Sequence, residues 1–362
     1  MPPLEAWEKV LVSSDFLNTT HGKLSCTTCH GGVASATEKD AAHQGIVKDP
    51  NAGTACTACH ADIVKTSADS MHNNLTGFKT VLSQRGGDFS NPVLVKAFNM
   101  SCNGCHASCG QCHVSRPSYA GGGLLSGHTF KKQASQNDTC TACHGARVGA
   151  DYYGEIAGAS GDVHYMKGGM PCVKCHTDAE FHGAVQPGAT RYTTATGPTC
   201  SSCHPEVLAG TSGITQHAIH GNKLDCQVCH SSGNYKGCAN CHAGVDDKGL
   251  YYRTTDPTLF TFKIGLNPSK STEHPADYVL LRKIPTTETM LDSFGTNLLP
   301  NFDAVSTWKY TTPHNIQRIT PQNQSCNSCH GHPELFLSTG DLGTTASEAD
   351  QKLIVPNPPG KQ

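Results

Sequence analysis

The sequence predicts mostly coil and short helices wrapped around bound groups that replace a side-chain core, with one small β-rich insertion. Three observations carry that expectation. Ten copies of Cys-x-x-Cys-His run through 362 residues and use all 20 cysteines. Only 36% of residues are hydrophobic and 6% aromatic, too few for the core that a chain of this length ordinarily builds. Gly (37) and Pro (20) are frequent enough to break up long helices and sheets.

Each copy reads as a c-type haem attachment site, in which two thiols form thioethers to the porphyrin and the adjacent histidine ligates the iron. The cysteine pairs are Cys26 and Cys29, Cys56 and Cys59, Cys102 and Cys105, Cys109 and Cys112, Cys140 and Cys143, Cys172 and Cys175, Cys200 and Cys203, Cys226 and Cys229, Cys238 and Cys241, and Cys326 and Cys329. In that order, as sites 1 to 10, the proximal ligands are His30, His60, His106, His113, His144, His176, His204, His230, His242 and His330. Zinc sites and disulfides also use paired cysteines, but neither requires a histidine after every pair. With 21 His in 362 residues, ten such histidines arise by chance with a probability of roughly 10⁻¹². Ten c-type haems, with their iron, are the expected cofactors.

A haem for every 36 or so residues supplies the missing apolar core, because each porphyrin is a large apolar plate. Folding and attachment are therefore expected to be coupled, with the apo chain largely unfolded. The net charge of −2 leaves no basic footprint for nucleic acid. Covalent haem attachment takes place outside the cytoplasmic membrane, so an export signal is expected to have preceded the chain, although residues from Met1 to Trp7 carry neither its basic start nor its apolar run. No stretch approaches the apolar length of a membrane span.

Along the chain, Leu4, Trp7 and Leu11 predict a short helix, and a second starts at Pro92 and presents Val93, Leu94, Ala97 and Phe98 on the way into the third site. Residues 1–150 hold haems 1–5, 151–242 haems 6–9, 243–325 no haem, and 326–362 haem 10 and a tail. First cysteines lie 30, 46, 7 and 31 residues apart in the first five sites and 28, 26, 12 and 88 apart in the second five. Both halves place a tight pair third and fourth, which suggests duplication of a five-haem unit. In the haem-free stretch Tyr251, Tyr252, Leu259 to Ile264 and Tyr278 to Ile284 read as short strands, a β-rich lid or docking surface.

Removing the ten proximal histidines leaves His21, His43, His72, His128, His164, His182, His217, His220, His274, His314 and His332. Ten irons need ten distal ligands, so coordination by two imidazoles is expected almost throughout, with low potentials. The first ten of that set are the distal candidates, and His332, two residues after His330, is the spare or a ligand to a haem of another subunit. His217 and His220 are three apart, so one helical turn can offer both to different irons. Met71, Met166 and Met170 are the competing ligands.

The segment Asp162-Val163-His164-Tyr165-Met166-Lys167-Gly168-Gly169-Met170-Pro171-Cys172, followed by Glu180-Phe181-His182-Gly183, resembles multihaem c-type cytochromes of metal-reducing and other anaerobic prokaryotes. The resemblance spans Cys26 to His330 and implies a multihaem cytochrome c fold, His164 and His182 as distal ligands, and closely packed haems forming a continuous wire. Two kinds are candidates: the decahaem cytochrome seated in an outer-membrane porin, and the extracellular cytochrome that polymerises into filaments. The 83-residue haem-free stretch from Ala243 to Ser325 suits the exposed filament type better than a porin lumen.

The expected function is electron transfer in anaerobic respiration or extracellular electron transfer, at the cell surface, beyond it, or in the periplasm. The expected partners are other cytochromes or redox proteins, further copies of the chain in a filament, and an extracellular metal or mineral acceptor. The alternative class is a reductase of nitrogen or sulfur oxyanions, which needs one iron with an open position. All ten motifs end in His, against that reading, although Arg147, Tyr152 and Tyr153 follow the fifth site and suit an active centre.

Overall fold

The computed structural model describes residues 12–50, 55–105, 107–194, 197–231, 233–237, 244–245, 251–252, 258–284, 286–342 and 346–362. The expected helix from Leu4 to Leu11, and His106, Cys238, Cys241 and His242 of sites 3 and 9, lie outside them. The chain is mostly coil with short helices. Those bearing on the sites are α1 (Cys26–His30), α2 (Thr57–Ser67), α3 (Pro92–Ser101), α4 (Cys109–His113), α5 (Thr141–His144), α6 (Val163–Gly168), α7 (Thr215–His220) and α8 (Cys226–His230). Four of them end on a motif histidine, because Cys-x-x-Cys-His is about one helical turn long. Ser108 caps α4 in a reciprocal capping box with Gln111. Asp225 caps α8, and Gly31, with φ of 68°, closes α1 in a conformation that favours glycine.

Two compact units are each assembled from separate stretches of chain. The first comprises Met1–Thr76, Cys102–Gly145 and Cys172–Pro187. Among its described residues only Leu75 and Val114 are buried apolar side chains. Hydrophobic burial on that scale cannot offset the conformational entropy of ordering so long a chain, so this unit requires a non-protein core.

The second unit comprises Gly77–Ser101, Ala146–Pro171 and Gly188–Gln362. It contains strands β1 (Asn234–Gly237), β2 (Gly244–Val245), β3 (Tyr251–Tyr252), β4 (Thr258–Thr261), β5 (Lys263–Leu266), β6 (Tyr278–Lys283) and β7 (Trp308–Tyr310). These strands pair antiparallel, β1 with β4, β2 with β3, and β5, β6 and β7 in one sheet ordered 5-6-7. The strands expected from Tyr251, Leu259 to Ile264 and Tyr278 to Ile284 are present. They are joined by Asn234–Gly237, Gly244–Val245 and Trp308–Tyr310, which the sequence pattern does not mark.

The alternation along β6 sends Val279 and Leu281 to a cluster with Trp308, Tyr310, Leu337 and Leu353, and Leu280 to another with Tyr235, Phe262, Ile264 and Phe336. Both faces of this sheet are therefore covered, giving the second unit a side-chain core. Helix α3 forms at the expected place and buries Leu94, Ala97 and Phe98 at i, i+3 and i+4, with Phe98 edge-on to Phe89 at 5.4 Å.

Candidate haem centres

Seven motif histidines face a second histidine at nearly one distance. In the first unit the ring centroids of His60 and His21 are 6.2 Å apart, His30 and His128 6.0 Å, His144 and His72 6.3 Å, and His113 and His182 6.2 Å. In the second unit His204 and His164 are 6.3 Å apart, His230 and His217 6.1 Å, and His330 and His220 6.2 Å. These rings are too far apart for mutual contact and too regular for accident. Two imidazoles on opposite sides of one metal, with metal–nitrogen bonds of about 2.0 Å, have centroids about 6.3 Å apart. Two imidazoles sandwiching an iron therefore fit the geometry of these residues.

The interplanar angles range from 14° to 76°, as expected if the shared constraint is distance along an axis rather than ring stacking.

The other ring nitrogen is held in most of these pairs. His30 Nδ1–H donates to the Val47 carbonyl at 2.8 Å, His113 to Lys131 at 2.7 Å, and His230 to Gln317 at 3.0 Å. Among the distal candidates, His164 Nδ1 meets Asp162 at 2.9 Å, His217 meets Ser212 at 3.1 Å, and His220 donates to the Gln216 carbonyl at 3.1 Å. His176 Nδ1 meets Glu180 at 2.8 Å. Bonding at Nδ1 orients the ring and leaves Nε2 for a metal. Sequence reading missed these orienting groups. Asp162, two residues before His164, and Glu180, four after His176, were the available signals; the carbonyls carry none.

Burial lowers the pKa of His21, His72 and His182, with His60 and His113 adding to the effect on the first and third, so these rings favour the neutral form that binds metal. The Glu180 hydrogen bond raises that of His176. His274 packs against Tyr310 at 5.4 Å and Tyr192 at 6.5 Å, and His314 Nδ1–H donates to the Thr312 carbonyl at 2.9 Å. His43 closes the short helix Lys39–Ala42. His332 is half exposed, with Nδ1 2.7 Å from Glu334.

The 17 cysteines whose side chains are described form no disulfide. Among the described residues no three His, Cys, Asp or Glu side chains cluster as a metal site of their own, and a structural zinc needs about four such ligands. The thiols instead meet between motifs. Cys56 hydrogen-bonds Cys109, Cys140 bonds Cys172, and Cys200 bonds Cys226. Weaker influences link Cys29 to Cys56, Cys112 to Cys140 and Cys229 to Cys329. Burial pushes Cys112 and Cys229 up to about 11, which suits thiols committed to an apolar group rather than to metal or redox exchange.

No protein-family model matches the chain. A search of curated proteins finds the multihaem cytochrome MtrC of Shewanella baltica, 26% identical over 216 residues, a stretch that is 52% of this chain and 30% of that protein. Over that stretch the chain is similar to a multihaem c-type cytochrome. The solved octahaem cytochrome c from Shewanella oneidensis aligns with 84% of this chain and 95% of its own, at 14% identity and a TM-score of 0.45.

Tyr152, Tyr153 and Tyr165 pack together, with centroids 5.0 to 5.9 Å apart, and Tyr152 donates its hydroxyl to the Met170 carbonyl at 2.6 Å. Among the described residues no helix is long and apolar enough to cross a membrane.

Proposed function

We propose that this cytochrome transfers electrons along ten covalently attached c-type haems, the irons held mainly between two histidines. The seven histidine pairs at 6.0 to 6.3 Å carry the reading. In it His21 is distal at site 2, His128 at site 1, His72 at site 5, His182 at site 4, His164 at site 7, His217 at site 8 and His220 at site 10. His43, His274 and His314 supply the remaining candidates for sites 3, 6 and 9. An iron closed on both faces exchanges electrons and offers no position to substrate.

The thiol contacts support an order of haems that departs from the order of the motifs. Contacts link site 2 to 4 and 5 to 6 in the first unit, where Cys172–Pro187 belongs, and 7 to 8 in the second, while weaker electrostatic influence joins 1 to 2, 4 to 5 and 8 to 10. Thioether sulfurs in contact bring porphyrin edges together, which is what rapid electron exchange needs.

The chain is read as exported, at or beyond the cell surface or in the periplasm, passing electrons to other redox proteins or an extracellular metal or mineral. Assembly with further copies fits better than a place inside a porin, because the 83-residue haem-free stretch from Ala243 to Ser325 is bulky for a porin lumen. Mass spectrometry is expected to find the polypeptide plus ten haems, and electron paramagnetic resonance of the oxidised protein is expected to be low-spin throughout. A substantial high-spin fraction that binds nitrite or sulfite would replace this reading with the oxyanion reductase. Electron microscopy of the purified protein decides between discrete particles and filaments.

A further inference from the structure

Sites 7 and 8 of the second unit, whose thiols meet at Cys200 and Cys226, share two adjacent residues of the chain, Ile316 and Gln317. Ile316 donates its N–H to Asp162 Oδ2 at 3.1 Å, and its carbonyl accepts from Val163 N–H at 2.8 Å. Gln317 donates its N–H to the His230 carbonyl at 2.7 Å, and its own carbonyl accepts from His230 Nδ1–H at 3.0 Å. Its side-chain amide donates to the carbonyl of Gly161, the residue before Asp162. One peptide stretch thus fixes the acceptor at a histidine of each site.

The acceptors differ in charge. At His230 of site 8 the acceptor is a neutral carbonyl, and at His217, which faces it, the partner is the Ser212 hydroxyl at 3.1 Å. At His164, which faces His204 of site 7, the acceptor is a carboxylate: Asp162 Oδ1 takes His164 Nδ1–H at 2.9 Å and the His164 backbone N–H at 2.8 Å. Asp162 is buried, caps α6 and lies within electrostatic reach of the Cys200 thiol. Glu206, 3.7 Å from His204 Nδ1, adds charge of the same sign, but both side chains are about half exposed and water screens them. Asp225 is near the thiols of both Cys200 and Cys226, so it acts on both sites. A hydrogen bond to a carboxylate is roughly twice as strong as one to a neutral oxygen and makes the imidazole a better donor to metal, which stabilises the oxidised iron.

We propose that Asp162 is a positioning residue that holds the potential of haem 7 below that of haem 8, where Gln317 and Ser212 offer neutral oxygens, so that an electron reaching site 7 passes to site 8. One ferrous iron is oxidised, one ferric iron is reduced and no proton moves. The proposal rests on the haem reading of these two sites.

Redox titration followed by optical and electron paramagnetic resonance spectroscopy compares the wild type with Asp162→Asn, Ser212→Asp and the exposed control Glu348→Gln. Asp162→Asn is expected to raise one midpoint, changing the reduction equilibrium of that haem about tenfold, or about 59 mV for one electron, with the low-spin spectrum kept. Ser212→Asp is expected to lower a different midpoint that is the higher of the two in the wild type, and Glu348→Gln to move neither. Asp162→Asn or Ser212→Asp midpoints that match the wild type, or the reverse order of the two, overturn the proposal. Should Asp162→Asn fail to fold, Asp162→Ser, which still caps α6 with a neutral oxygen, gives the same readout. Peptide mapping separates the two levels: haem missing from Cys200 and Cys203 or from Cys226 and Cys229 overturns the haem reading together with the proposal, whereas haem on both pairs with unmoved midpoints overturns the proposal alone.

Discussion

His217 and His220 stand one turn apart on the six-residue helix α7, yet their rings face different partners, His217 toward His230 and His220 toward His330. The i, i+3 spacing puts both side chains on one face of the helix, so in the proposed reading a single short element sets the distal side of sites 8 and 10. A shift of α7 would disturb both haems together.

The two substitutions should nonetheless be separable. His217→Ala and His220→Ala are each expected to convert one of the ten haems from low to high spin, and the double variant two, as read by electron paramagnetic resonance. An unchanged low-spin spectrum in either single variant would remove that histidine from the ligand set.

The sparse apolar burial of the first unit makes its folding depend on haem. In chain expressed without haem attachment, amides of this unit are expected to exchange with solvent at close to unfolded rates, whereas Val279 to Leu281 in the sheet of the second unit keep the strongest protection. Leu281→Ala, at a fully buried position, should cost about 2–5 kcal/mol and remove that residual protection. Hydrogen exchange with mass spectrometry reads both outcomes.

Asp350 offers a pH signature away from the haems. Burial alone would raise its pKa, but hydrogen bonds from Ser306, Ser347, Thr307 N–H and Trp308 N–H prevail and hold it below the usual carboxylate value. A depressed folded pKa contributes stability that is present above the unfolded value of 3.8 and is lost as pH falls through the folded one. Asp350→Asn is therefore expected to cost about 1–3 kcal/mol at neutral pH and to flatten the loss of stability below about pH 4. Denaturant titrations at pH 7 and in the acid range measure it.

The thiol contacts make a prediction about haem order. In the loaded protein, the sulfurs of Cys56 and Cys109 should lie side by side, and likewise those of Cys140 with Cys172 and Cys200 with Cys226. A density map with resolved irons that separates any of these pairs would break the proposed route at that step.

Much of the chemistry was legible in the chain itself. Cys-x-x-Cys-His is a local motif, because both thioethers and the proximal ligand attach to one porphyrin within a single turn. The supply of histidines, the sparse helices, α3 from Pro92 and the strands near Ile264 and Tyr278 follow from composition and short-range pattern. What only the tertiary structure decided is which histidine meets which. His30 meets His128 across 98 positions and His220 meets His330 across 110, while His21, just ahead of the first motif, faces His60 of the second. Such pairings depend on where separate stretches are brought together, as in a first unit built from three segments.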